Sequence, residues 1–508
     1  MLVVVVATAS MFARPVLSNW VRTELARHVE NHFDGTLNVD SFDVVLFPVV
    51  RIEGTGLKLR RNAAPDGPPL ISAERFSATT SLRKIWNGGV KQIAVTGLTI
   101  YIAPGSRPSL NRKSPTAQGQ APGTPERAVA DSRSGLHVDE ILATNSRLEI
   151  APNDPAGLPL VFDITHARLT DFSPDKAAEY EAKLVNPKPR GEVISSGSFG
   201  PWRADDPRQT EIAGLYSLAK ADMSVFPGIG GTLDSAGHFT GALQALSVEG
   251  TATMPDFTVD TGGHPMRLDT SFSTRVDATN GNTYLDRVAA TLGKSKISAT
   301  GEVAGTKTSG GKTIRLKVTS DSALLEDFIY LVVSEDQAPM RGQLSFTSTM
   351  ELPPGDEPVI EAIKLAGNFT ITRGRFASDL VQDKVDELSR RGQGKPKDTE
   401  IDNVMSTFSG TYAMGNGVLQ LPRFQFTVNG AGVTLAGHYA MRGEQLDFTG
   451  QLRLRAKISQ TTTGFKSFLL KAVDPFFRKQ GAGTVLPIRI SGSVQKPEFK
   501  LNLFNRKG

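Results

Sequence analysis

The sequence predicts a mainly β protein: an elongated repeat of antiparallel strands forming a curled sheet or groove. An N-terminal membrane or amphipathic helix and a few short helices in the C-terminal half complete the expectation. Three observations carry it. Apolar and polar residues alternate with a period of two over run after run, as from Val248 to Met254 and from Ile297 to Val303. These runs are short and separated by Gly, Asn or Asp, and a chain with 49 Gly suits turns and bulges better than helices. Similar pieces also recur along the chain.

The best of these repeats spans fifteen residues, Val90 to Pro104 aligning without gaps on Val138 to Pro152. Each copy reads as strand, tight turn at Gly97 or Asn145, and strand. In the second arms Leu98, Ile100 and Ile102 match Leu148 and Ile150 on one face, with Tyr101 and Glu149 opposite. A second piece recurs as Ala236-Gly237-His238-Phe239, Ala366-Gly367-Asn368-Phe369 and Ala436-Gly437-His438-Tyr439. Stacked copies of one hairpin-like unit are expected. Residues 105–135, rich in Pro, Gly, Ser and Gln, form a flexible linker or long loop. Thr306 to Lys312 reads as a hairpin tip.

Length and composition narrow the function classes. At 508 residues the chain exceeds one ordinary core. A net charge of +5 is nearly neutral over that length and gives no basic face for nucleic acid. With no Cys, disulfides, thiolate metal sites and a cysteine nucleophile are excluded.

At the N-terminus, Met1 to Ala13 is uncharged and Val-rich, and Arg14-Pro15 ends it. Such a run rises only about 20 Å as a helix, short of the roughly 20 residues a membrane span needs. Three readings stand open: a transmembrane helix whose beginning lies upstream, a signal peptide, or a buried core segment. From Val16 the residues Leu17, Trp20, Val21, Leu25 and Val29 recur at helical spacing, opposite Arg22, Arg27 and Glu30. Later helices are expected from Ser322 to Val333, capped by Asp321, and from Leu380 to Arg391, begun by Asp379. A third, from Gly464 to Gln480, is kinked by Pro475 and reads either as a cover over a sheet end or as a lipid-facing helix.

No catalytic set emerges. His28 and His32 lie four apart on the expected N-terminal helix, but a third ligand is missing. Gly311-Lys312-Thr313 lacks the first P-loop glycine and has strands on both sides. Asp205-Asp206 reads as a solvated loop pair. No cofactor and no enzymatic activity are expected. The alternating strands fit two architectures equally: filled sandwiches, or a trough whose apolar face holds acyl chains.

Two ends of the chain resemble the AsmA family of Gram-negative envelope proteins. At the N-terminal end the anchor and helix are followed by Leu37 to Val39, Phe42 to Pro48 and Ile52 to Leu59, where a strand ends in Phe47-Pro48 before a glycine-containing strand. Ile71 to Ala78, Ser81 to Ile85 and Val90 to Ile102 are similar to its next element. At the other end Gly417-Val-Leu, Ala431 to Gly437, Leu446 to Phe448, Leu486 to Gly492 and Lys496 to Phe499 are similar to the family's C-terminal region. The family itself resembles, distantly, the chorein-type bridge lipid transfer proteins.

The resemblance implies a single-pass inner-membrane protein with its body in the periplasm, handling or transferring phospholipids toward the outer membrane. The alternative is a non-carrier scaffold or regulator of outer-membrane protein assembly. The implied partners are phospholipid acyl chains, the inner membrane and other envelope proteins, with no nucleic acid. The expected organisation is a transmembrane segment at 1–15, an AsmA-like helix and strands at 16–104 and the linker at 105–135. A β repeat body at 136–320 and an AsmA-like C-terminal region at 321–508 follow. Leu98, Ile100, Ile102, Leu148 and Ile150 are the candidates for a lipid-groove lining. Leu17, Trp20, Val21, Leu25 and Val29 are the membrane-proximal helix.

Overall fold

A computed structural model describes residues 35–45, 49–61, 67–81, 83–84, 89–102, 137–151, 159–173, 175–201, 203, 207–260, 262–306, 309–457, 483–493 and 496–501. The expected membrane segment, the Leu17 to Val29 helix, Phe47-Pro48, the linker at 105–135, Asp205-Asp206 and the helix from Gly464 to Gln480 lie outside these residues. The described chain is mainly β with few helices.

The strands run β1 (Gly35–Asn38), β2 (Ser41–Val45), β3 (Val50–Arg61), β4 (Ile71–Thr80), β5 (Gly89–Thr96), β6 (Thr99–Ile102), β7 (His137–Ile150) and β8 (Leu160–Phe172). Then come β9 (Ala178–Pro187), β10 (Arg190–Phe199), β11 (Glu211–Asp222), β12 (Ile229–Gly230), β13 (Thr232–Ala242), β14 (Ala245–Val259), β15 (Met266–Asp277), β16 (Asn282–Leu292) and β17 (Ser295–Thr306). The rest are β18 (Ser309–Leu324), β19 (Met340–Leu352), β20 (Lys364–Phe376), β21 (Ser406–Gly415), β22 (Val418–Val428), β23 (Ala431–Ala440), β24 (Gln445–Leu454), β25 (Thr484–Ser493) and β26 (Lys496–Leu501). They belong to two compact units: residues 1–221, 234–250 and 276–281, and residues 222–233, 251–275 and 282–508.

In the first unit β1 and β2 both lie antiparallel on β3, which continues antiparallel to β4. The fifteen-residue repeat then departs from expectation. Its two copies do not fold as hairpins; they lie side by side in parallel, with Ile93 beside Ile141 and Ile100 beside Leu148. Residues matched in the sequence alignment are the residues paired in the sheet. The turn chemistry at Gly97 and Asn145 is real, since both adopt left-handed backbone (φ +66° and +49°). It produces a matched kink where a reversal was expected, and the chain runs on through it. A parallel pair needs a return of a dozen residues or more, and the stretch between Ile102 and His137 supplies that length. From β7 to β11 every neighbour is antiparallel.

The second unit is an antiparallel succession from β16 to β26. Flanking the tip expected from Thr306 to Lys312, Gly305 pairs with Lys312 and Thr306 with Ser309. Two helices interrupt the succession. The first was expected from Ser322 with Asp321 as cap; instead β18 continues to Leu324, and the helix spans Leu325–Val332. The reason is cross-strand pairing: Ala323 and Leu324 bond to Leu344 and Gln343, so they stay in the ladder. The second helix, Asp379–Gly392, follows expectation closely. It stops at Gly392, where an added Cβ would stand 2.5 Å from the Gly430 carbonyl oxygen. A short turn at Val359–Ala362 had no signal in the sequence.

The two helices cover one end of the unit's apolar face. Leu325 joins Ala323, Leu344, Ile371 and Phe408 in one buried cluster, with Phe328 and Phe346 packed edge to face at 5.5 Å. Val385 joins Val428, Ala431 and Leu454 in another. The helix Asp379–Gly392 is fixed by polar groups as well. The Asp386 carboxylate accepts the backbone N–H groups of Asn403 (2.8 Å) and Val404 (2.9 Å), and Ser389 donates to the Asn429 carbonyl (2.7 Å).

Candidate functional site

Strand alternation divides each sheet into a polar face and an apolar one. On the polar side of the second unit, Arg315 pairs with Glu302 and Glu351 across neighbouring strands, and Arg489 pairs with Asp447. On the apolar side, register places Leu421 beside Gly437, Gly437 beside Phe448 and Phe448 beside Ile490. One row over, Phe424 lies beside Leu435, Leu435 beside Gly450 and Gly450 beside Ile488. Of these, Leu421, Phe448, Ile488 and Ile490 are only half-buried, whereas Leu435 is buried like Leu344, Ile371 and Phe408.

The first unit repeats the pattern. Leu184, Val193 and Leu218 form one apolar row across β9, β10 and β11; Ala178, Phe199 and Ile212 form another. Of these six, all but Ala178 are half-buried. Between the two rows lie Tyr180, Gly197 and Gly214, in register side by side. The Tyr180 ring reaches across Gly197, so that a Cβ added at Gly214 would stand 2.6 Å from the Tyr180 hydroxyl. Tyr216 repeats the arrangement: a Cβ at Gly250 would stand 2.9 Å from its hydroxyl. Glycines thus clear a path along the face and aromatic rings lie down in it.

Each of these two hydroxyls meets a serine. Tyr180 Oη lies 2.8 Å from Ser195 Oγ, which donates onward to the Leu215 carbonyl at 2.9 Å. Tyr216 Oη lies 3.2 Å from Ser235 Oγ. Partial burial pushes both phenols above their ordinary range, and the serine partner offsets part of that rise.

The lining candidates from the sequence come together on β6 and β7. Ile100 lies beside Leu148 and Ile102 beside Ile150, with Tyr101 beside Glu149 on the other side. Leu98 sits in the kink between β5 and β6, where its carbonyl accepts the Arg147 N–H at 2.6 Å. Ile100 and Leu148 are half-buried, Ile150 is buried and Ile102 is exposed. Tyr180, Tyr216, Ser195 and Ser235 were missed by sequence reasoning. A signal existed: Gly214-Leu-Tyr216 and Gly410-Thr-Tyr412 carry the same glycine-to-aromatic spacing as the three recurring pieces.

A polar depression of about 360 Å3 follows the kink, lined by Glu74, Gly97, Thr99, Asn145, Arg147 and Asp163 among others. Arg147 is paired there with Asp163 at 3.3 Å and with Glu149 at 3.8 Å. Among the described residues no group of three His, Asp or Glu side chains is arranged to hold a metal. Among them, too, no helix is long and apolar enough to cross a membrane.

No family model, no curated protein and no solved structure matches this chain.

Proposed function

We propose that this chain handles or transfers phospholipids as an inner-membrane-anchored periplasmic protein, sheltering acyl chains on a passive apolar β groove. One observation supports the reading above the others. Strand after strand in each unit presents a row of Leu, Ile, Val and aromatic side chains that is left half-buried. A filled sandwich buries such rows; here buried residues gather into clusters beneath two short helices, while elsewhere buried side chains such as Val138 and Ile150 stand among half-buried neighbours. Unfilled apolar surface of this kind marks a binding face. Each methylene moved from water onto it gains about 0.8 kcal/mol, so acyl chains suit it and head groups remain in solvent. No bond is made or broken in this scheme, and no cofactor is needed. The placement in the envelope and the direction of transfer rest on the resemblance of the two chain ends to the AsmA family.

Native mass spectrometry of the full chain, purified without detergent, tests the proposal. Co-purified phospholipid is expected. Charging the face at Ile100→Asp, beside Leu148, should strip the lipid while leaving the fold nearly intact. A clean apo mass, together with unfolding of the Ile100→Asp variant, sinks the proposal in favour of a packed core. Crosslinking that captures envelope proteins and no lipid would favour a non-carrier scaffold of outer-membrane assembly instead.

A further inference from the structure

We infer that the Tyr180–Ser195 and Tyr216–Ser235 hydroxyl pairs are polar stations on the apolar face that receive the ester carbonyls of a diacyl lipid. The inference rests on the lipid-handling reading above and names the lipid linkage that the face distinguishes.

Covering a glycine does not require a hydroxyl. Phe76 lies over Gly54, Phe369 over Gly410 and Phe408 over Gly374, each with a hydroxyl-free ring beside a backbone carbonyl at the place a Cβ would occupy. At 180 and 216 the chain uses tyrosine and sets a serine beside each hydroxyl, at 2.8 Å and 3.2 Å. Both pairs sit among apolar rows, and all four residues are half-buried, so the hydroxyls lie within reach of a molecule on the face.

The hydrogen-bond network fixes the resting arrangement at the first station. Ser195 donates to the Leu215 carbonyl, so the Tyr180 O–H donates to Ser195 Oγ. That O–H turns about its C–O bond, and the same hydrogen can be handed to an acceptor lying on the face. Ser195 keeps its own donation when this happens. An ester carbonyl laid on an apolar surface without a donor forfeits its hydrogen bonds to water, whereas an ether oxygen, a weaker acceptor, forfeits less. The tyrosines therefore favour ester over ether linkages.

The test compares two probes on the full chain: a diacyl phosphatidylcholine and the dialkyl phosphatidylcholine of the same chain length. They are offered in equal amounts to delipidated protein and the bound ratio is read by native mass spectrometry. The double variant Tyr180→Phe/Tyr216→Phe keeps both rings over their glycines and should keep its circular dichroism spectrum. Its diacyl-to-dialkyl ratio should fall about three- to tenfold below wild type, the weight of one neutral hydrogen bond. The single variants should fall partway and carry the test if the double variant folds poorly. An unchanged ratio in the variants overturns the stations and leaves lipid handling standing. Failure of the wild-type chain to take up either probe overturns both.

Discussion

Gln92 and Glu140 hold the same place in two copies of one repeat, and the Gln92 side-chain amide donates a 2.6 Å hydrogen bond to the Glu140 carboxylate. Arg168, on the far side of Glu140, donates a second at 2.7 Å. Matched positions of the two copies thus bond to each other, as they do again at Thr96 and Thr144, whose hydroxyls lie 3.3 Å apart.

The first prediction concerns acid. The bonds from Gln92 and Arg168 hold the Glu140 carboxyl below its ordinary value of 4.5. A carboxyl with a depressed pKa contributes stability that is fully present above the ordinary value and is lost as pH falls through the depressed one. Glu140→Gln should therefore lower the melting temperature slightly at neutral pH, and the gap from wild type should close as pH is taken below about 4. A gap that stays constant across a pH series of thermal melts would show that the carboxylate's charge plays no part.

A second prediction uses the glycine path. A Cβ at Gly197 would sit on the Ala213 carbonyl oxygen, a backbone atom that cannot step aside. Gly197→Ala should cost about 1–3 kcal/mol, the range for overpacking. At Gly415, by contrast, nothing among the described residues stands within 4 Å of the same position. Gly415→Ala should lie within about 0.5 kcal/mol of wild type, as surface changes do. Urea denaturation of the two variants side by side checks both.

The same contrast explains what the sequence disclosed. Period-two alternation revealed the strands because one face is apolar, and the Asn416-Gly417 pair, both left-handed, closes the hairpin between β21 and β22 as such a pair should. Gly97 and Asn145 disclosed their backbone conformation but not its consequence. Whether a left-handed residue reverses a strand or kinks it depends on the neighbours it finds, and those neighbours are 48 residues away. Asp321 looked like a helix cap, yet pairing of Ala323 with Leu344 across the sheet outweighed the local preference. The lining candidates Ile100 and Leu148 were legible because they share one alternating pattern. Tyr180 was not, since what singles it out is a glycine on a strand beyond its immediate neighbour, and Tyr216 was marked only by its spacing from Gly214.

A third prediction concerns Ser406, 1% exposed, whose hydroxyl has no hydrogen-bond partner among the described residues. An unbonded buried hydroxyl costs free energy that its removal recovers. Ser406→Ala should be neutral or stabilising by up to about 1 kcal/mol. A loss of stability in chemical denaturation would point to a bond made by that hydroxyl.

The last prediction turns on Asp386, 4% exposed on the inner side of the helix Asp379–Gly392. One turn earlier, Gln382 donates to it at 2.9 Å and also to the Val404 carbonyl at 3.1 Å. The carboxylate meanwhile receives the N–H groups of Asn403 and Val404. The helix and the segment entering β21 are therefore tied by a closed set of bonds, and removing the acceptor strands two backbone donors and a side-chain amide together. Asp386→Ala should destabilise the chain by about 2–4 kcal/mol. Asp386→Asn should cost less, because its carbonyl oxygen still accepts one N–H while its amide faces the other as a second donor. Hydrogen exchange adds a local reading: protection of the Asn403 and Val404 amides should fall in both variants, and more in the alanine. Equal protection in wild type and Asp386→Ala would mean that the helix is held by Val385 and the apolar contacts around it alone.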